Sequence, residues 1–292
     1  MSELAVRPSA TQRPPARPSG RRRFSPPWPE EAGRDPFVVL GPTAVFRAAC
    51  RLAAACAALG LIFAATAAVS LAFDPGGVGS RAARHRRFCY SLVLASLGIR
   101  LRSRIKPKDK AVLYVGNHPS WLDGLAVGAA TGMSSVAYAR GWPVVDYLMR
   151  RFGTVIVPRG PSSGLSAAVG AVSERLGSGG SVAVFPEGDT SFGPGVLPFR
   201  PAFFQAAIDA RAPVIPLSVS YATPSPYPSP DRSVHWVDWT PFLVHAARIA
   251  AMRGVEVYVD EAGRLEPDCG RKELAARAES VVAGLLSRPR HR

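Results

Sequence analysis

His118 and Asp123 stand five residues apart in Gly116-Asn117-His118-Pro119-Ser120-Trp121-Leu122-Asp123, and an imidazole with a carboxylate in reach is equipment for general base catalysis. The carboxylate would hold one ring nitrogen. The other would be left to take a proton from a hydroxyl as it attacks a carbonyl. The same spacing has a second reading: Ser120-Trp121-Leu122-Asp123 fits a helix capping box, with Asp123 serving the backbone. A second polar cluster, Phe185-Pro186-Glu187-Gly188-Asp189-Thr190-Ser191, puts a carboxylate directly after an apolar run. Between the clusters, Thr154-Val155-Ile156-Val157 delivers Arg159 to the same edge, and Pro198-Phe199-Arg200 sets a cation at the start of a later helix. The fork-shaped, permanently charged guanidinium suits both arginines to anion binding, although a lone arginine is more often a surface residue. The chain has no Gly-x-Ser-x-Gly elbow, which argues against a covalent serine hydrolase and for direct attack by a substrate hydroxyl.

The elements that must position these residues are short apolar runs alternating with helical segments. Strands are expected at 111–116, 135–139, 154–157, 181–185, 214–221 and 255–259. Helices are expected at 120–130, 142–152, 165–176, 201–210, 242–252 and 271–286. This alternation implies an α/β fold with a mixed, largely parallel sheet flanked by helices. In such sheets sites lie beyond the carboxyl ends of strands, where both polar clusters fall. Gly177-Ser178-Gly179-Gly180 precedes a strand rather than following one, so it reads as a helix-ending turn and not a phosphate loop.

The N-terminal third reads differently. Residues 1–40 are rich in Pro, Arg and Ser and are expected to be a disordered basic tail. Leu52 to Phe73 carries no charge and, as a helix, would be about 33 Å long, enough to cross a hydrocarbon core, with a buried core helix as the alternative. Its flanks are both basic, which fits a helix in one leaflet as well as a spanning one. Residues 80–110 hold ten Lys/Arg and one acid around the apolar stretch Phe88–Ile99, and read as an amphipathic helix on an anionic membrane surface. The expected organisation is therefore a tail (1–40), membrane-anchoring helices (41–105) and a catalytic domain (106–292). A net charge of +15 favours anionic partners. Nucleic acid is set aside because no zinc finger, RNA-binding aromatic motif or recognition-helix pattern is visible. Four cysteines without CxxC or zinc spacing read as reduced thiols facing the cytosol, and no metal site is expected.

At this point the residues resemble the membrane-bound glycerolipid acyltransferases of the lysophosphatidic acid acyltransferase type. The family's Asn-His-x-x-x-x-Asp block is matched by Asn117, His118 and Asp123. Its second block is matched by Gly153 through Arg159. Its Phe-Pro-Glu-Gly-Thr-Arg-Ser block is matched by Phe185, Pro186, Glu187, Gly188 and Ser191, and its Val-Ile-Pro strand by Val214, Ile215 and Pro216. The resemblance implies acyl transfer from acyl-CoA or acyl-acyl carrier protein to a lysolipid hydroxyl, with no cofactor beyond that co-substrate. His118 would be the base and Asp123 its orienter. Asn117, Gly153, Arg159, Glu187, Gly188 and Arg200 would bind substrate, and the catalytic domain would face the cytoplasm. The implied acceptor is 1-acyl-glycerol-3-phosphate, giving phosphatidic acid. One departure stands out: Asp189-Thr190 replaces the family's Thr-Arg. An acid there disfavours a phosphate, so a lyso-ornithine lipid is the alternative acceptor, and Arg200 is the residue that could restore the missing charge. A catalytically silent lipid-binding membrane protein is the alternative from another class.

Overall fold

The computed structural model describes residues 41–106, 108, 111–138, 143–157, 163–191, 195–225, 227, 229–236 and 241–288. The expectations for residues 1–40 and for Arg159 lie outside the described residues. Strands form where branched apolar runs end in Gly, Pro or polar residues: β1 (Ile99–Ser103), β2 (Leu113–Gly116), β3 (Ser134–Tyr138), β4 (Val155–Val157), β5 (Val182–Val184), β6 (Val214–Ala222) and β7 (Val255–Glu261). They make one sheet in the order β1-β7-β6-β2-β5-β3-β4. Every neighbouring pair is parallel except β6 and β7. The mixed, largely parallel sheet expected from the sequence is present.

The helices are α1 (Pro42–Val69), α2 (Ser80–Ser96), α3 (Leu122–Thr131), α4 (Pro143–Arg151), α5 (Ser163–Gly177), α6 (Phe204–Asp209), the short α7 (Pro230–Ser233), α8 (Phe242–Ala251) and α9 (Arg271–Leu286). A turn of 3-10 helix, Pro201–Phe203, leads into α6. Leu113 and Val115 of β2, Val182 and Val184 of β5, and Val214 of β6 face one side of the sheet by the two-residue period. There they pack on Val172 and Leu176 of α5, Phe204 of α6, and Leu274, Ala278 and Val282 of α9. Tyr114, Ala183 and Ile215, also buried, face the opposite side. The sheet is thus covered on both faces, as a largely parallel sheet must be.

The N-terminal region departs from expectation in two ways. Ile99–Ser103 was expected among anchoring helices and is instead an edge strand, paired in parallel with β7 from Ile99↔Val255 to Ser103↔Val259. Arg100 and Arg102 alternate with Ile99 and Leu101, so the charges mark the solvent side of a strand. Arg102 pairs with Glu256 of β7 at 2.8 Å.

The second departure concerns the basic flanks. α1 is 28 residues long, long and apolar enough by length and composition to cross a membrane. Yet Arg47 donates to the Ala251 carbonyl at 2.6 Å, and Arg51 to Ala250 at 3.2 Å and Met252 at 2.6 Å, at the C-terminus of α8. Arg86, buried, donates to the carbonyls of Gly132 (2.7 Å), Pro75 (2.6 Å) and Gly77 (3.1 Å). Arg87 reaches the Ala129 carbonyl at 3.4 Å. These four arginines of the basic flanks therefore satisfy carbonyls at the C-terminal ends of α8 and α3, where the helix dipole also favours a cation, and in the turn after α1. Burial lowers the Arg86 pKa to about 10, which leaves it charged at neutral pH.

Candidate active site

The site is built where β2 and β5, adjacent and parallel, release their chains. β2 ends at Gly116, and Asn117 then continues its pairing with β6 through the side chain. The Asn117 amide donates to the Val219 carbonyl at 2.9 Å, and the Val219 N–H donates to Asn117 Oδ1 at 2.8 Å. A carboxamide carries the same donor and acceptor as a peptide unit, so it acts as one more rung of the ladder. Expected to bind substrate, Asn117 is buried with both ends engaged by β6, and its work in this structure is to fix where His118 begins.

Pro119 and Ser120 then turn the chain into α3, which opens at Leu122, two residues later than expected. Asp123, in its first turn, is fully buried. Its Oδ2 accepts from His118 Nδ1–H at 2.8 Å and from the Ser120 backbone N–H at 2.8 Å. Both sequence readings of this spacing are therefore realised on one oxygen: the carboxylate serves the backbone of its own helix start and holds the imidazole. The carboxylate can only accept, so Nδ1 carries a proton, and in the neutral ring the lone pair lies on Nε2. The other oxygen, Oδ1, accepts from the Tyr221 hydroxyl of β6.

The second cluster closes against the first. The Phe185 ring stacks on the His118 imidazole with centroids 4.4 Å apart and planes 10° from parallel. The Ser191 N–H donates to the His118 carbonyl at 2.8 Å. The turn between them is held by Gly188 N–H to the Phe185 carbonyl at 3.1 Å, and by Arg200 N–H to the Pro186 carbonyl at 2.9 Å. Gly188 has φ +77°, and a Cβ there would lie 2.9 Å from the Arg200 guanidinium carbon. The glycine serves both the left-handed turn and the close approach of that cation. Arg200 is exposed, as is Asp189, whose carboxylate caps the Thr190 N–H at 2.9 Å.

Glu187 is buried between these segments, and neither of its oxygens makes a hydrogen bond of good geometry. Burial pushes its pKa up to about 7. The Ser191 hydroxyl, the Leu197 N–H and His118 offset burial only in part. At neutral pH this carboxyl is poised between its acid and its anion, beside the imidazole.

Gly153, also expected to bind substrate, has φ +72°, and a Cβ there would lie 2.6 Å from the Gly76 carbonyl oxygen. Its lack of a side chain is explained by the turn after α1 pressing on it. Tyr221 was read only as the end of a strand. No local signal could have marked it, because its partner lies 98 residues away.

The acyltransferase family profile matches residues 99–220, which include both clusters, strands β1 to β5 and β6 as far as Ser220. The chain is 40% identical over 133 residues to a 1-acyl-sn-glycerol-3-phosphate acyltransferase of Neisseria meningitidis, covering 44% of this chain and 52% of the relative. It thus spans about half the length of that relative. It is 30% identical over 217 residues to a lyso-ornithine lipid O-acyltransferase of Brucella abortus, covering 68% of this chain and 80% of the relative. Its fold is similar to the crystal structure of the 1-acyl-sn-glycerophosphate acyltransferase of Thermotoga maritima. The TM-score is 0.57 at 20% identity, over 80% of this chain and 97% of the other.

Proposed function

The chain belongs to the acyltransferase family, and we propose that it transfers an acyl group from a thioester donor, acyl-CoA or acyl-acyl carrier protein, to the free hydroxyl of a lysolipid at a membrane surface. The observation that carries this reading is the His118–Asp123 pair with Nδ1 committed to the carboxylate and the ring stacked on Phe185. His118 Nε2 takes the proton from the acceptor hydroxyl as its oxygen attacks the thioester carbonyl. The tetrahedral oxyanion collapses, the C–S bond breaks, and the departing thiolate receives the proton from the imidazolium. The products are an ester and a free thiol, and His118 returns to its starting state. Asp123 orients the ring and stabilises its charged form without taking the proton. Stacking on Phe185 restricts rotation of the ring, which favours a single approach geometry. The start of α3 directs its positive dipole end toward developing negative charge.

The acceptor follows from the charges around the turn at Gly188. Lysophosphatidate is the first reading: the Arg200 guanidinium, lying over Gly188, supplies a cation that Asp189-Thr190 does not. Lyso-ornithine lipid is the second, favoured by the exposed Asp189 carboxylate, which suits an ammonium head group. α1 provides the apolar surface for membrane association, with the catalytic domain on the cytoplasmic side.

Purified protein with one acyl donor and a panel of lysophosphatidate, lyso-ornithine lipid and other lysophospholipids tests both levels. Transfer fastest to lysophosphatidate supports the first reading, and fastest to lyso-ornithine lipid the second. His118→Ala should lower turnover by about 10³-fold while leaving vesicle binding intact. Absence of any transfer by the wild-type protein would leave a lipid-binding protein without catalysis.

A further inference from the structure

We infer that Tyr221 is a positioning residue for the acyl-transfer reaction: its hydroxyl holds the free oxygen of Asp123 and so sets the basicity and orientation of His118. The inference rests on the function proposed above and extends it to a residue outside the family's motif blocks as they stand in this sequence. Tyr221 lies on β6, is 2% exposed, and donates to Asp123 Oδ1. With Oδ2 taken by His118 Nδ1–H and the Ser120 N–H, both carboxylate oxygens carry protein donors, and the carboxylate plane is fixed from both sides. A fully buried carboxylate with one oxygen unpaired would be free to tilt and would carry an uncompensated charge.

The height of the hydroxyl is set by the sheet. Asn117 clips β2 to β6 at Val219, and Tyr221 is the next residue on the same face of β6. The register that places His118 therefore also places the group that braces its partner. The phenol stays protonated in this setting, since burial and the adjacent Asp123 hold its pKa well above the ordinary tyrosine value. Among the described residues, Glu187 and His235 also act on the assembly. Glu187 acts on His118 across the site. His235, from the segment after α7, lies near Asp123 with its ring centroid 6.4 Å from that of Tyr221, and burial lowers its pKa. Both are unchanged when only the Tyr221 hydroxyl is altered.

A donated hydrogen bond disperses the Asp123 charge, so removing it strengthens the hold of Asp123 on the imidazolium. The base form of His118 then appears only at higher pH. Tyr221→Phe should lower kcat about tenfold, the cost of one charge-assisted hydrogen bond. KM for donor and acceptor should stay within twofold, and the acid limb of the kcat/KM profile should move to higher pH. Site-specific 3-fluorotyrosine at 221, a stronger donor of nearly the same shape, should move that limb to lower pH. The fluorinated protein also decides the matter if Tyr221→Phe fails to fold, as judged by its melting temperature. An active wild type whose acid limb stays fixed in the fluorinated protein overturns the role of Tyr221. So does a Tyr221→Phe variant that folds and matches the wild type, or loses only substrate affinity. An inactive wild type overturns instead the function on which the role depends.

Discussion

Glu187 shows how a single residue links stability to the site. Its carboxyl is held at about 7 against an ordinary value near 4.5, chiefly by burial. Between those two values the unfolded chain has lost the proton and the folded chain keeps it, so stability falls as pH rises through that window and levels off above about 7. The size is about 3 kcal/mol, taking about 1.4 kcal/mol per pH unit. Glu187→Gln removes the titration. The melting temperature of the variant relative to wild type should therefore rise between pH 5 and pH 8, as measured by thermal unfolding in detergent. An unchanged difference would mean that the carboxyl is solvated or paired. At this scale the sequence made His118, Asp123 and Glu187 readable because their types and spacing are local. The open choice between a base pair and a helix cap had no local answer, since one oxygen of Asp123 does both jobs. Tyr221 was not readable, because only the pairing of β6 beside β2 brings it to Asp123.

Among the elements, most strands and helices fell within a few residues of their expected positions, because each carries its own apolar period and its own Gly or Pro boundary. β1 did not. Its Ile99-Arg100-Leu101-Arg102 alternation was overshadowed by the surrounding run of basic residues, which read as one helical face. An edge strand with one solvent face can carry arginines at alternate positions without cost. Arg47, Arg51, Arg86 and Arg87 found partners that the sequence did not show for a related reason: charge counts in sequence cannot distinguish a phosphate from a helix C-terminus as the anionic partner. Arg86 makes the difference measurable. Arg86→Met would leave the Gly132, Pro75 and Gly77 carbonyls unpaired and should destabilise the protein by about 3 kcal/mol. That corresponds to a drop of roughly 5 °C in melting temperature for a chain of this size. A residue facing only lipid head groups would instead leave the melting temperature in detergent unchanged and weaken binding to anionic vesicles.

Across the whole molecule, an α/β sheet covered on both faces carries an apolar helix of 28 residues along one side. α1 packs on α8 through Ala44, Ala48 and Leu52 against Ala250 and Ala251. α2 packs on α3 and grips its C-terminal turn through Arg86 and Arg87. α3 is ten residues long, about 15 Å, and Asp123 stands in its first turn. The N-terminal hairpin and the carboxylate thus hold opposite ends of one short rod. An anchor that merely raised the local concentration of enzyme at lipid could be removed without harm whenever substrate is supplied in micelles. A strut could not. Deleting residues 41–98 should accordingly abolish turnover on detergent-dispersed lysolipid as well as on vesicles, while full activity on dispersed substrate would reduce the hairpin to a mooring line.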